Sequence, residues 1–198
     1  DDVANLSEKT LHECTTSRRS VRQYSDEAMD IEELSYLLYQ TAKLFKAGNG
    51  FSMRAIPTGG AKHSMETYLY VRNVIGIPRG LYRFIPSLGD LLLIDDSAHL
   101  DHNVSLALKN QLFNSAVVFL WSAIPERAEH KYSYTAHKMI AIEAGHACQS
   151  LYLGAESLQL GCCAIAAYDQ TALDQVLQFD PEEEFVIYAA VVGKKAEK

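Results

Sequence analysis

The residues with the clearest chemical character lie in the arginine segment, Ser17–Tyr24, which reads Ser-Arg-Arg-Ser-Val-Arg-Gln-Tyr. Its three arginines are Arg18, Arg19 and Arg22. A guanidinium offers a planar set of donors that matches phosphate oxygens and stays charged at any working pH, and the hydroxyl of Ser20 can add another bond. The segment predicts either a phosphate clamp or a solvated basic turn that pairs with its acidic neighbours, Asp26 and Glu27.

A glycine loop, Pro57–Ala61, is the second candidate contact. It reads Pro-Thr-Gly-Gly-Ala, and its two glycines allow backbone N–H groups to approach a ligand closely. Donors at the edge of a flavin ring stabilise charge on the reduced form. The loop lacks the Gly-Lys-Ser/Thr ending of a P-loop, and the chain has no G-x-G-x-x-G. A plain turn is the alternative.

Lys131 and Tyr132 stand side by side at the entry to a predicted long helix. An ammonium or a phenol moves a proton when its pKa is shifted toward the working pH. The residues alone favour a more ordinary interpretation, a surface lysine beside a packed tyrosine.

Seven histidines are present, and none falls in a compact metal-binding pattern, so no metal site is predicted. His63 follows the glycine loop and could face a substrate. His146 falls within the predicted long helix and is expected in the core. Glu143, in the same helix, is a candidate buried carboxylate with a structural partner.

Composition and charge limit the function classes. The chain has 198 residues, of which 48% are hydrophobic and 22% charged, which predicts one domain over residues 1–198. A net charge of -7 argues against nucleic-acid binding and against docking on anionic membranes. Apolar runs are too short to span a bilayer.

Four cysteines without metal or redox spacing indicate free thiols and a cytoplasmic location, although a first residue other than Met leaves a removed signal peptide open.

Periodicity predicts an irregular mixture of helices and strands. The helices are expected over 7–17 (capped by Ser7, with Leu11 and Cys14 inward), from an Asp30 capping box through Phe45 to Gly48, and over 97–112, 126–160 and 169–177. The strands are expected over 67–72, 80–84, 91–94, 116–121, 162–168 and 185–192. The run 116–121 is nearly all apolar, so it should be central. The helix over 126–160 is apolar nearly all round and should lie in the interior. This order favours an α+β fold.

Taken in order, the motifs resemble the FMN-dependent nitroreductase superfamily, and within it the SagB-type branch of azoline oxidases. The resemblance covers nearly the whole chain. The residues that carry it are Arg18–Tyr24, Asp30–Tyr39, Arg54–His63, Glu66–Leu69, Gly80–Phe84, Gln111, Ser115–Val118, Lys131–Tyr132, Glu143–Leu153, Leu160–Gly161 and Val192–Lys194.

The resemblance implies a nitroreductase-like α+β fold, with a central, mainly antiparallel sheet flanked by helices, one of them long and buried. It implies a single FMN-binding domain that forms a homodimer with FMN at the subunit interface. The implied contacts are Arg18, Arg19, Ser20 and Arg22 on the phosphate and ribityl chain; Pro57, Thr58 and Gly59 on the partner subunit's flavin; Gln111 near the pyrimidine edge; the backbone of Ala164, Ile165, Ala166 and Ala167 on the ring; and Lys194 and Lys195 near the phosphate.

The implied activity is hydride transfer to or from flavin N5. In the azoline-oxidase branch a peptidyl azoline becomes an azole, with residues matching Lys131 and Tyr132 assisting proton removal. The segment after Tyr132 reads Ser-Tyr-Thr-Ala-His where relatives usually carry an arginine. Two alternatives are therefore kept: an NAD(P)H-dependent nitro or quinone reductase acting on a small molecule, and a flavin- or peptide-binding module whose activity has decayed.

Overall fold

The described residues, 6–7, 9–48 and 51–196 of a computed structural model, fold around an antiparallel sheet. In chain order the strands are β1 (Leu44–Gly48), β2 (Phe51–Arg54), β3 (Met65–Val71), β4 (Gly80–Ile85), β5 (Asp90–Asp95), β6 (Val117–Ala123), β7 (Leu160–Ile165) and β8 (Phe185–Lys194). The helices are α1 (Leu11–Ser17), α2 (Ile31–Ala42), α3 (Leu100–Ala107), α4 (Glu126–Tyr132), α5 (Ala136–Ser157) and α6 (Gln170–Val176).

Six of the strands form the main sheet in the order β5-β4-β3-β6-β8-β7, and each neighbouring pair is antiparallel. β1 and β2 form a separate hairpin. The predicted α+β architecture with a central, mainly antiparallel sheet flanked by helices is confirmed.

β6 lies inside the sheet, and all seven of its residues are buried. Its side chains alternate between two cores because successive residues of a strand face opposite sides. Phe119 and Trp121 pack in the core that α2 and α5 cover, whereas Val118 and Leu120 pack in the core that α3 and α6 cover. Helices on both faces explain why this strand is apolar throughout, as the sequence predicted.

Two predicted boundaries near the N-terminus are wrong. α1 begins after Thr10, not Ser7, because Thr10 and Glu13 form a capping box there, and Leu11 is 71% exposed while Cys14 is buried. α2 does start at the predicted Asp30 box, but it ends at Ala42. The residues up to Gly48 form β1 instead, since their backbone pairs with β2 in the hairpin.

The predicted helix over 126–160 is interrupted at Ser133, whose φ of 46° and ψ of -133° break the helical path. α4 precedes this break and α5 follows a short 3₁₀ turn. α5 is long, with 22 residues, but it buries one face only, and His146 lies on the exposed face, not in the core as predicted. The small residue Gly154 does permit close packing, because a Cβ there would lie 3.3 Å from Leu37 Cδ2 of α2.

Within the described residues, no helix combines the length and the apolar character needed to cross a membrane.

Replacing Phe119 by Ala should lower the free energy of unfolding by roughly 3–5 kcal/mol, because it opens a cavity in the central strand. Phe119 is 0% exposed, whereas Phe45, on the β1–β2 hairpin, is 53% exposed. Phe45→Ala is the matched control and should cost less than about 1 kcal/mol. Urea unfolding of both variants measures the difference; equal losses would contradict the assignment of β6 to the core.

Candidate functional site

The arginine segment and the residue that follows it, Ser25, are bonded to β7 and β8. The N–H of Val21 donates to the carbonyl of Cys162 at 2.9 Å, and Ser20 and Cys162 form a parallel bridge. The N–H of Ser25 then donates to the carbonyl of Lys194 at 3.0 Å. These bonds extend the sheet locally and fix the backbone that carries the arginines.

Two glycines inside β7 and β8 make room for this segment. A Cβ atom on Gly161 would lie 2.9 Å from both Tyr24 Cε1 and Val21 Cγ1, and one on Gly193 would lie 3.1 Å from Tyr24 Cδ1. The buried Tyr24 donates its hydroxyl hydrogen to the carbonyl of Val21 at 2.7 Å. Strand glycines often mark such a close approach of another segment, so Tyr24 anchors the arginine segment in the space that they leave.

Tyr152 of α5 connects the segment to β7. The guanidinium carbon of Arg18 lies 5.0 Å from the centre of the Tyr152 ring. The Tyr152 hydroxyl lies 2.8 Å from Ser20 Oγ and accepts a bond from the N–H of Ala164 at 2.8 Å. One phenol therefore brings together an arginine, a serine and the first residue of the Ala164–Ala167 run, which were predicted as separate contacts.

The arginines of the segment are available to an anion. Among the described residues, no ion pair joins Arg18, Arg19 or Arg22 to a carboxylate. The carboxylate of Asp26, a partner in the alternative interpretation, accepts from Asn114 Nδ2 at 2.6 Å instead. Arg19 bonds backbone carbonyls of its own turn, 3.0 and 2.8 Å away. A cationic, serine-bearing surface of this kind suits a phosphate.

Arg22 faces the thiol of Cys163 on β7. Burial raises the pKa of Cys163, while the charge and hydrogen bond of Arg22 act in the opposite direction. Arg22 itself is exposed. The guanidinium therefore lies over the strand that leads into Ala164–Ala167.

The two C-terminal lysines are paired with carboxylates. Lys194 Nζ lies 2.6 Å from Glu33 Oε1, and Lys195 Nζ lies 2.9 Å from Glu156 Oε2. Glu156 also accepts from Ser17 Oγ at 2.8 Å and from Lys9 Nζ at 3.2 Å. Lys195 therefore lies beside the start of the arginine segment, with its charge already matched by Glu156.

Gln111 holds the Ala164–Ala167 run from the other side. Its side-chain amide donates to the carbonyl of Leu108 at 2.9 Å and to the carbonyl of Ala167 at 2.8 Å. Ala166 and Ala167 are exposed after β7 ends, while Ile165 is buried. The run is thus a backbone surface held between Gln111 and Tyr152.

The glycine loop packs on Lys131 and Tyr132. A Cβ atom on Gly60 would lie 2.5 Å from the Tyr132 hydroxyl and 2.8 Å from Lys131 Nζ, and Gly60 has a φ of 61°. A Cβ on Gly59 would clash with the methyl carbon of Met139. The fold therefore joins two motifs that lie 70 residues apart in sequence, and the positive φ of Gly60 is a conformation that glycine adopts at little cost.

The same loop is tied to α5 and to the hairpin. The hydroxyl of Thr58 donates to Glu143 Oε2 at 2.6 Å and accepts from the N–H of His63 at 3.2 Å. The His63 ring bonds the carbonyl of Ser52 at 2.9 Å and is buried. His63 thus links the end of the loop to the β1–β2 hairpin. Pro57, at the start of the loop, is exposed.

The structure brings the predicted residues into two groups. The arginine group gathers around Tyr152, and the loop group gathers around Glu143. Tyr152 comes nine positions after Glu143 on α5, which is roughly 13 Å along a helix axis. Within one chain the two halves of the implied site are therefore apart.

Sequence reasoning gave no role of its own to Tyr152 or Gly161. The strand glycine carried a usable signal, because a glycine inside a strand often marks the close approach of another segment. The role of Tyr152 had no such signal, since a tyrosine near a helix end is most often packing.

Across the part of the chain that the structure describes, no group of three or more His, Cys, Asp or Glu residues could hold a metal ion. All four cysteines are buried and free.

Comparison with known proteins decides the family. The sequence profile of the nitroreductase family matches residues 15–194. The chain belongs to the nitroreductase family. A proposed nitroreductase of Methanocaldococcus jannaschii is 28% identical to this family member over 197 residues, which are 98% of this chain and 96% of that protein.

Solved structures agree on the fold of this nitroreductase-family chain. A proposed nitroreductase of Anabaena variabilis superposes with a TM-score of 0.74 at 25% identity; the match covers 94% of this chain and 38% of the Anabaena chain. A chain of the E. coli microcin synthetase McbBCD complex, with truncated pro-MccB17 bound, superposes with a TM-score of 0.76 at 19% identity, over 88% of this chain and 68% of that one. The second likeness concerns the fold alone.

Glu156 gives the arginine group a measurable pH dependence. Burial alone would raise the pKa of Glu156, but the bonds from Lys195, Ser17 and Lys9 together lower it. A carboxylate with a lowered pKa stabilises the folded state above its unfolded pKa, and this contribution is lost as the pH falls through the folded pKa.

Glu156→Gln should therefore be less stable than the wild type at pH 7, and the difference should shrink as the pH is lowered below about 4. Thermal unfolding at several pH values measures it. Glu129→Gln, at an exposed position of α4, serves as the control and should show little change. A difference that stayed constant down to acid pH would contradict the ionised role of Glu156.

Proposed function

We propose that this protein is an FMN-dependent oxidoreductase that transfers hydride to or from flavin N5. The observation that carries the proposal is the arginine group: Arg18, Arg22 and Ser20 lie together beside β7, and no described carboxylate pairs with the two arginines. In an acidic protein, an unmatched cationic surface next to exposed backbone fits a ligand with a phosphate at one end and a planar ring at the other.

The residues present fit FMN in two respects. Arg18, Ser20 and Arg22 supply phosphate donors. The Ala164–Ala167 backbone, held by Tyr152 and Gln111, offers a surface for a ring. FMN, when bound, supplies the two-electron chemistry, and the protein supplies position and charge stabilisation.

A homodimer would complete the site. Glu143 and Tyr152 hold the glycine loop and the arginine segment at separate positions along α5, and α5 leaves Ile142 and His146 exposed on its other face. Pairing two chains along this face would bring the glycine loop of one subunit, with Pro57, Thr58 and Gly59, toward the arginine segment of the other. The hydroxyl of Thr58 is already bonded within its own chain, so the loop would contribute backbone donors.

Lys131 and Tyr132 are the proposed proton-transfer residues. Both contact Gly60 of the glycine loop, so they would lie beside a flavin that this loop reaches. A peptidyl azoline is the substrate class that the resemblance to azoline oxidases supports. The similarity to a microcin synthetase complex is consistent with a peptide substrate.

A small-molecule nitro or quinone reductase that uses NAD(P)H is the second candidate. It is favoured by the relative described as a nitroreductase, and by Ser133–His137, which replaces an expected arginine. Adding NADH or NADPH without oxygen separates the two, because only a reductase of this kind would lose its flavin absorbance quickly.

We further propose a cytoplasmic location, which the four free, buried thiols support.

Arg18→Ala combined with Arg22→Ala should weaken FMN binding at least about 100-fold, because each charge-assisted bond contributes roughly 1.5–3 kcal/mol. Flavin absorbance that stays with the protein through gel filtration measures binding. Arg79→Ala, at an exposed arginine far along the chain, should bind FMN as the wild type does. Retention of flavin by the double variant would contradict the clamp, and a wild-type protein that cannot be loaded with FMN would contradict the proposed function.

Lys131→Ala should leave FMN bound and lower the rate of azoline oxidation by roughly 10²–10⁴-fold, the usual contribution of a general acid or base. Mass spectrometry measures the loss of two hydrogens from each ring of a thiazoline peptide. Lys46→Ala, on the exposed hairpin, is the control. Unchanged turnover would return Lys131 to the interpretation as a surface lysine.

A further inference from the structure

Glu143 is a buried carboxylate of α5 that accepts a hydrogen bond from Thr58. Its residue is 6% exposed, and among the described residues no ion pair links it to a cation. Burial raises the pKa of Glu143, and the hydrogen bond of Thr58 acts against that rise. Because burying an unpaired carboxylate is costly, its presence calls for a role beyond filling the core.

The bond from Thr58 is the direct link between Glu143 and the glycine loop. The Thr58 hydroxyl donates to Glu143 Oε2 at 2.6 Å and accepts from the N–H of His63 at 3.2 Å. The carboxylate of Glu143 thus holds Thr58, and Thr58 in turn bonds the backbone of His63 just after the loop. An alanine at position 143 would leave the hydroxyl of Thr58 without this acceptor.

The loop needs such a restraint because its backbone is strained. Gly60 and Ala61 in the loop have φ values of 61° and 55°, and His63, two residues after it, has a φ of 49°. The left-handed region costs little for glycine but about 1 kcal/mol or more for other residues, and it persists only where surrounding contacts enforce it. Without its anchor, the loop would relax away from this conformation.

The position of Lys131 and Tyr132 depends on the same loop. Both contact Gly60, and Ser133, directly after them, has a φ of 46°. The pair therefore lies between a strained loop and a strained break in the helix. A movement of the loop would remove the surface on which the pair packs.

We infer that Glu143 is a positioning residue: through Thr58 it holds the glycine loop in the conformation on which Lys131 and Tyr132 pack. The chemical role of the pair rests on the proposed function, whereas the restraint on the loop does not. Glu143 does not itself touch the reacting groups; its effect reaches them through the loop.

The test compares Glu143→Ala, Glu143→Gln and a matched control. The glutamine keeps an oxygen that can accept from Thr58, so it should rescue the loop. Asp174→Ala is the control, because Asp174 is also a buried carboxylate with a hydrogen bond, from the N–H of Val186 at 2.7 Å, but lies on α6. If Glu143→Ala does not fold, Thr58→Val removes the same bond from the other side.

Amide hydrogen exchange, followed by mass spectrometry on protein without added cofactor, is the first measurement. Glu143→Ala should exchange roughly tenfold faster or more over residues 57–63 and 131–135, with Glu143→Gln close to the wild type. Asp174→Ala should change neither segment. Equal protection of both segments in Glu143→Ala and the wild type would overturn the inference, as would faster exchange over the whole chain in both alanine variants.

Turnover is the second measurement, made on FMN-loaded protein. With FMN saturating, Glu143→Ala should lower kcat with little change in KM for the azoline peptide, since the loop is placed against the flavin and the pair and not against the peptide. An unchanged kcat in a variant whose loop exchanges faster would show that the loop does not position the pair. A wild type that binds no FMN would overturn the proposed function, yet the exchange result would still decide the role of Glu143.

Discussion

The packing of α5 across the sheet is the constraint on which both groups of functional residues depend. Its buried face fills one core together with β6 and α2. The same helix presents Glu143 to the glycine loop and Tyr152 to the arginine segment, on opposite sides of its axis, because nine residues make about two and a half turns. Because a helix fixes the separation of its side chains, the distance between the two groups is set by the helix and not by the loops. A rigid element thus positions two irregular segments.

The two buried glutamates of α5 show how the same residue type serves different purposes. Glu156 forms ion pairs with Lys9 and Lys195, which balance its negative charge. Glu143 has no described cation partner of this kind, and its bond to Thr58 is the contact that ties the loop down. Their pKa values move in opposite directions for this reason, downward for Glu156 and upward for Glu143. A carboxylate that is bonded to a loop residue, with no ion pair among the described residues, suits a positioning role.

The sequence predicted some elements well and others poorly, for physical reasons. The Asp30 capping box is a local signal, and it located the start of α2. The apolar run of β6 predicted a strand that is buried on both faces, and the strand does lie inside the sheet. The predicted end of α2 was wrong. Residues 44–48 form β1 and pair with β2, and local periodicity does not reveal a pairing between strands. His146 was misplaced for a related reason: small residues made α5 look apolar all round, although one of its faces is exposed.

What the sequence determined by itself was the chemistry available: three arginines with a serine, a loop with two glycines, and a lysine beside a tyrosine. These depend on residue type and short spacing, which need no fold. What only the tertiary structure decided was which of them meet. The contact of Gly60 with Lys131 and Tyr132, and the bonds of Thr58 and Tyr152, join segments far apart in sequence. Such contacts follow from the packing of α5 on the sheet, and no local pattern encodes them.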